Sequence, residues 1–157
     1  MNIRVALGTL FGAGHLPVAP GTWGSLFTLP LIYLASFLFP TWGIPAFFVA
    51  SILLSLYCAP AVEAKYGHDP SQFVMDECAG QSLVFILGGF SYTFFGDLFT
   101  LIFGFLLFRF FDVLKPLGID KLQKLPGEIG ILADDLLAGV YAFICLEGCF
   151  YIYHTLL

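Results

Sequence analysis

Charge is what this sequence has least of. Its 157 residues include six Lys and Arg and eleven Asp and Glu, 11% charged in all, against roughly 25% in an ordinary soluble domain. So few charges cannot cover a fully wetted surface of this size, which excludes a soluble globular protein. The net charge of −5 and pI near 4.8 would describe partners in a soluble chain. Here the charges are too few and too clustered for that, and no nucleic-acid partner is expected.

Cysteine is equally uninformative about metals or cross-links. The four residues Cys58, Cys78, Cys145 and Cys149 form no CxxC pair and no Cys/His metal spacing. Three lie in or beside apolar runs, where Cys acts as a small hydrophobe, and Cys78 is read the same way although it follows an acidic pair. No disulfide framework is expected. The glycine-rich N-terminal stretch lacks the GK[ST] ending of a P-loop, and there is no internal repeat or low-complexity tract. Gly8, Gly12, Gly14, Pro17 and Pro20 interrupt the first apolar stretch, so cleavage as a signal peptide is not expected.

What is abundant is apolar. Hydrophobic residues make up 59% of the chain, nineteen of them Phe, and the mean hydropathy is +0.94. The chain reads as a single membrane-embedded domain, residues 1–157, all-α and polytopic. About five apolar helices are predicted, near 23–39, 42–61, 80–95, 98–111 and 131–153. Helices are the default because lipid-exposed backbone must satisfy its own hydrogen bonds. A β-barrel would need alternating polarity, which "LFTLIFGFLLF" (98–108) lacks. A spanning helix needs roughly 17–25 residues, so the third and fourth segments are short and could form a hairpin.

The charged connections are the N-terminal stretch, the loop near 65–77 and the long loop 109–135. With five spans all three fall on one face, carrying Arg4, Lys65, Arg109, Lys115, Lys121 and Lys124. The positive-inside rule makes that face cytoplasmic. Of the acidic residues, only Asp97 and Glu147 fall elsewhere.

Two acidic pairs stand at the starts of apolar segments: Asp76–Glu77 in "VMDECAG" (74–80) and Asp134–Asp135 in "GILADDLLAG" (130–139). A carboxylate near a helix N-terminus gains roughly 0.3–1 kcal/mol from the helix dipole. That accounts for one acid per helix, whereas the second is repelled by its neighbour and loses hydration. Two readings stand: capping and solvation, or a divalent cation shared between the two helix ends. Oxygen-only ligands suit Mg²⁺ better than zinc. Small residues follow each pair, Ala79–Gly80 and Ala138–Gly139, and would let the two helices approach closely.

"FRFFDVLKP" (108–116) spaces Arg109, Asp112 and Lys115 three apart along one helical ridge. The ridge is either an intrahelical pair with a basic membrane anchor, or a phosphate grip in which Arg109 contributes bidentate contacts. Thr22 or Ser25, in the Gly/Pro-rich stretch 8–25, is an ordinary N-cap or part of an anion-binding backbone. In "GHDPSQF" (67–73), Asp69 is expected as an N-cap with Pro70 at the first helical position. His15 and His68 are read as structural or solvated, and Glu147 as part of a buried polar pair.

Three stretches together resemble the phosphatidylglycerophosphatase A family of bacterial membrane lipid phosphatases: "GAGHLPVAPGTWGSL" (12–26), "VMDECAG" (74–80) and "FRFFDVLKPLGIDKLQKLPGEIGILADDLLAG" (108–139). The resemblance implies Mg²⁺-dependent hydrolysis of phosphatidylglycerophosphate to phosphatidylglycerol and inorganic phosphate, a step of phospholipid biosynthesis. It also implies a helical fold in the bacterial inner membrane with its site facing the cytoplasm. By position it makes Asp76, Glu77, Asp134 and Asp135 the metal ligands, with Asp112 and Asp135 catalytic. Arg109, Lys115, Gly21, Thr22 and Ser25 become the phosphate-binding set. The chain departs from the family pattern at Glu128, where a second glycine is usual, and at "KPLGI" (115–119). A homo-oligomer is compatible with all of this. The reading set against it is a small cation transporter, which needs acids spread through the depth of the membrane.

Overall fold

The computed structural model describes residues 2–122 and 127–156; Lys124, assigned above to the charged face, lies outside them. The helices are α1 (Ile3–Gly8), α2 (Pro20–Leu38), α3 (Gly43–Tyr66), α4 (Met75–Leu83), α5 (Phe94–Leu114), α6 (Ile119–Leu122) and α7 (Glu128–Leu156), with a 3₁₀ stretch at Leu10–His15. The regular structure of the described residues is all helical, with no strand, as the sequence predicts. Among them four helices, α2, α3, α5 and α7, are long and apolar enough to cross a membrane.

Proline and glycine set the boundaries. Pro20 occupies the first turn of α2, where its missing N–H costs nothing. The α2–α3 turn is tight enough that a Cβ on Gly43 would overlap the carbonyl oxygen of Ala35. The α5 helix stops where Lys115 turns left-handed at φ 44 and Pro116 follows. The outward faces of the long helices are apolar and open, among them Leu53, Phe37 and Phe99 at 62–65% exposure. This is the inverse of a soluble surface and suits contact with lipid. Inside, Ile32, Ile44, Phe85, Phe108, Ala142 and Leu146 pack as one core, and Cys58, Val62, Phe73, Met75 and Cys78 form another.

Two segment readings are corrected. The fourth apolar stretch is no short hairpin arm: the predicted break between 95 and 98 lies inside a helix, and α5 runs 21 residues. The third is the unusual one. Only nine residues form α4, a rise of about 13 Å, well short of the roughly 30 Å hydrocarbon core. The chain continues to the opposite end of the bundle through irregular backbone, residues 84–93. Backbone of that kind is tolerated at membrane depth only where protein covers it. Val84 and Phe85 are buried, and α4 packs against α2, α3, α5 and α7. At the far end Asp97 accepts from the Ser91 amide at 2.8 Å and from the Tyr33 hydroxyl at 3.0 Å. The Tyr92 hydroxyl donates to the Ser36 carbonyl at 3.1 Å. The Asp97 carboxylate of α5 and the Ser36 carbonyl of α2 thus anchor the far end of the segment, whose nearer turns bond within themselves, the Phe85, Ile86 and Gly88 amides donating to the Ser82, Leu83 and Phe85 carbonyls.

Candidate active site

The ends of four elements meet at the pole opposite Asp97. They are the first turn of α2, the first turn of α4, the last turns of α5 and the start of α7. They enclose a cavity of about 270 Å³ lined by Asp76, Glu77, Arg109, Asp112, Lys115, Asp134 and Asp135, with Gly21 on one side and Asp69 and Ser71 on the rim.

Glycines make this convergence possible. A Cβ on Gly80 would stand 2.6 Å from the carbonyl oxygen of Asp135, and one on Gly139 would stand 2.5 Å from the carbonyl oxygen of Gly80. The α4 and α7 backbones therefore touch just below the two acidic pairs, as the small residues after each pair predict. At Gly21 a Cβ would overlap Glu77 Oε1 and lie 3.3 Å from Arg109 Nη1. Bare backbone at the start of α2 is what lets the carboxylate and the guanidinium stand side by side.

The acidic residues divide into two sets. Ligand oxygens of Asp76, Glu77 and Asp135 all lie within 4.8 Å of one another. Asp134 is turned away from them: its Oδ2 takes a hydrogen bond from the Lys115 ammonium, and its Oδ1 is buried without a partner. Arg109 Nη1 is 2.6 Å from Asp112 Oδ2 and 3.4 Å from Ser25 Oγ, while its Nε is buried and unpaired. Ser25 is no N-cap; it lies inside α2 and donates to the Gly21 carbonyl at 2.9 Å. Thr22 does not line the cavity. Asp69 also misses its expected capping role, because α4 begins at Met75, and Asp69 stands on the cavity rim instead.

Electrostatically the site is unbalanced. Apart from Asp69, five carboxylates face two cations, which leaves three negative charges uncompensated if all are ionised. Burial, and then the Glu77 and Asp135 charges, push Asp76 well above the usual carboxylate range. Burial raises Glu77 to about 7 despite its hydrogen bond with Asp76. A cation among these carboxylates would offset the excess negative charge. Three hard oxygen donors, excess negative charge and a spacing near the roughly 4 Å across one Mg²⁺ coordination sphere all fit a divalent ion. Cys78, on the same helix, is no nucleophile: burial pushes its thiol up to about 12, and Thr28 donates to its sulfur at 3.0 Å.

Residues 6–150 match the family described as phosphatidylglycerophosphatase A. The chain belongs to the phosphatidylglycerophosphatase A family. Two relatives that carry the phosphatidylglycerophosphatase A name come from Haemophilus influenzae and Escherichia coli. The first is 37% identical, covering 85% of this chain and 80% of the relative. The second is 32% identical, covering 83% and 73%. A Bacteroides thetaiotaomicron protein named "Putative phosphatidylinositol-3-phosphatase" is 36% identical over 92% of this chain and 91% of its own length. No solved structure matches the chain significantly. Membership of the phosphatidylglycerophosphatase A family makes the chain a phosphatase, and its long apolar helices make it a membrane protein.

Sequence reasoning missed Gln81. It is fully buried one turn after Glu77, and both of its amide atoms lack a partner. A Gln inside an otherwise apolar or small-residue stretch was the available signal. Asp69 and Ser71 on the rim could not be foreseen, since only the fold of the α3–α4 loop brings them to the cavity.

Proposed function

We propose that this protein removes the terminal phosphate of phosphatidylglycerophosphate, releasing phosphatidylglycerol and inorganic phosphate, as a Mg²⁺-dependent enzyme of phospholipid synthesis at the cytoplasmic face of a bacterial inner membrane. The observation that carries this reading is the meeting of Asp76, Glu77 and Asp135 within 4.8 Å beside Arg109 and Lys115, at one pole of a bundle of membrane-length helices. The orientation follows from the basic residues gathered at that pole.

Asp76, Glu77 and Asp135 would hold the ion. When bound, Mg²⁺ supplies Lewis-acid polarisation of the phosphoryl group and lowers the pKa of water. Arg109, oriented by Asp112 and Ser25, binds two phosphoryl oxygens through its guanidinium fork, and Lys115 exchanges part of its contact with Asp134 for a third. The Gly21 backbone leaves room for the phosphate beside Glu77. Asp112, held beside Arg109 in the cavity wall, accepts a proton from the attacking water. A bond forms between that water oxygen and phosphorus, the bond from phosphorus to the headgroup oxygen breaks, and a proton returns to the leaving hydroxyl. An aspartyl-phosphate route through Asp135 uses the same groups in two steps.

The Bacteroides relative favours a second substrate within the same chemistry, a phosphorylated inositol lipid. A cation path gains no support. Among the described residues, the other buried acid is Asp97, fifteen residues before Asp112 on α5, or about 22 Å away, and both of its oxygens are hydrogen-bonded. The deciding experiment measures phosphate release by purified protein from phosphatidylglycerophosphate, phosphatidylinositol phosphate and phosphatidic acid, with Mg²⁺ or with chelator. Mg²⁺-dependent release fastest from the first substrate is expected. No release from any of the three would overturn the proposal.

A further inference from the structure

Two buried polar groups of complementary character lie one turn apart on α4. Glu77 Oε2 is an acceptor with no donor, and Gln81 Nε2 is a donor with no acceptor. Residues four apart on a helix are neighbours, about 5–6 Å between Cβ atoms. Long helical side chains lean toward the N-terminus, over the preceding turn, so the register puts Glu77 within reach of Gln81. Gln81 is 0% exposed. A fully buried amide without partners destabilises the fold, and packing gives no reason to retain one among neighbours such as Ala79 and Gly80.

We infer that Gln81 is a positioning residue for the metal site: its Nε2–H donates to Glu77 Oε2 when Glu77 Oε1 turns to a divalent cation. Ligating carboxylates are commonly held by a second hydrogen bond of this kind, and losing it typically weakens metal binding by 10–100-fold. In the structure the Glu77 carboxyl is engaged with Asp76, and Oε1 is the oxygen that faces Gly21. The oxygen on the other side is the one left for Gln81. The inference rests on the proposed metal role of Glu77 and extends it to a residue outside the cavity wall.

The test uses full-length protein in detergent. Mn²⁺ affinity is read by electron paramagnetic resonance, with Mg²⁺ competition, and thermal stability is read without metal. Gln81→Met keeps volume and removes the donor. It is expected to bind Mn²⁺ roughly 10–100-fold more weakly and to melt, metal-free, at or above the wild-type temperature. The apparent Mg²⁺ requirement should rise while kcat at saturating Mg²⁺ stays near wild type. Gln81→Glu, as a second variant, restores a polar group without a permanent donor and should not recover affinity. Mn²⁺ affinity within twofold of wild type in Gln81→Met overturns the inference and leaves the phosphatase reading intact. A clear drop in metal-free melting temperature also overturns it, since the amide would then be structural. Failure of the wild type to bind either ion removes both readings together.

Discussion

Gly139 and Gly80 hold their helices in backbone contact: a side chain begun at Gly139 would start 2.5 Å from the Gly80 carbonyl oxygen. Neither neighbour is the movable end of a long side chain, so α4 and α7 must separate to admit a methyl group. Overpacking of this kind costs about 1–3 kcal/mol, and here it also pulls Asp135 from Asp76 and Glu77. Gly139→Ala is expected to lower the melting temperature by several degrees and to cut Mn²⁺ affinity more than tenfold. Melting curves and metal titration on one preparation check both.

The two aspartates of "ADD" should separate in their effects. Asp135→Asn removes a member of the carboxylate cluster and is expected to abolish both cation binding and turnover while the protein remains folded. Asp134→Asn touches the Lys115 pair instead and should keep cation affinity within a few-fold while weakening substrate binding. Equal loss of metal affinity in both variants would show that the division read from the geometry is wrong.

Arg109→Lys keeps the charge but loses the planar fork held between Asp112 and Ser25. Hydrogen bonds to charged groups are worth about 1.5–3 kcal/mol, so kcat/KM should fall roughly 10- to 100-fold. Steady-state kinetics on the lipid substrate measure it, and a change under threefold would exclude bidentate phosphate contact.

The pH dependence has a definite sign. Glu77 rises from 4.5 to about 7 through burial, and burial also raises Asp76 well above the usual carboxylate range. A carboxyl raised in the folded state stabilises it below its unfolded pKa and loses that contribution as pH rises through the folded value. The metal-free protein should therefore melt at progressively lower temperature between about pH 5 and 8. Saturating Mg²⁺ should flatten that decline. Cation affinity should climb over the same interval, with protons released on binding, which calorimetry in buffers of different ionisation enthalpy can count.

The helical membrane class followed from the shortage of charge, and the acidic pairs, the Arg109–Lys115 ridge and the close approach at Gly80 and Gly139 were all legible as local patterns. What was not legible depends on contacts between distant segments. Asp134 and Asp135 are adjacent and chemically identical, and only the position of Lys115 after its left-handed turn decides which one it pairs with. The break predicted between 95 and 98 falls at Gly96, but the apolar run continues through it and a full-length helix begins at Phe94. Residues 84–93 are as apolar as a span, and their irregular path is set by Asp97, Tyr33 and Ser36 on other elements. Composition cannot report that.

The third crossing also dictates an order of assembly. Each of the four long helices closes its own backbone hydrogen bonds and is a unit that can enter a bilayer alone. The α4 segment with residues 84–93 differs: its nine-residue helix is too short to cross alone, and it is held by packing against α2, α3, α5 and α7. Insertion must therefore precede docking of this segment, and the carboxylates of Asp76 and Glu77 reach their places only at that late step. A chain halted before it would be threaded into the membrane and yet have no place to bind an ion.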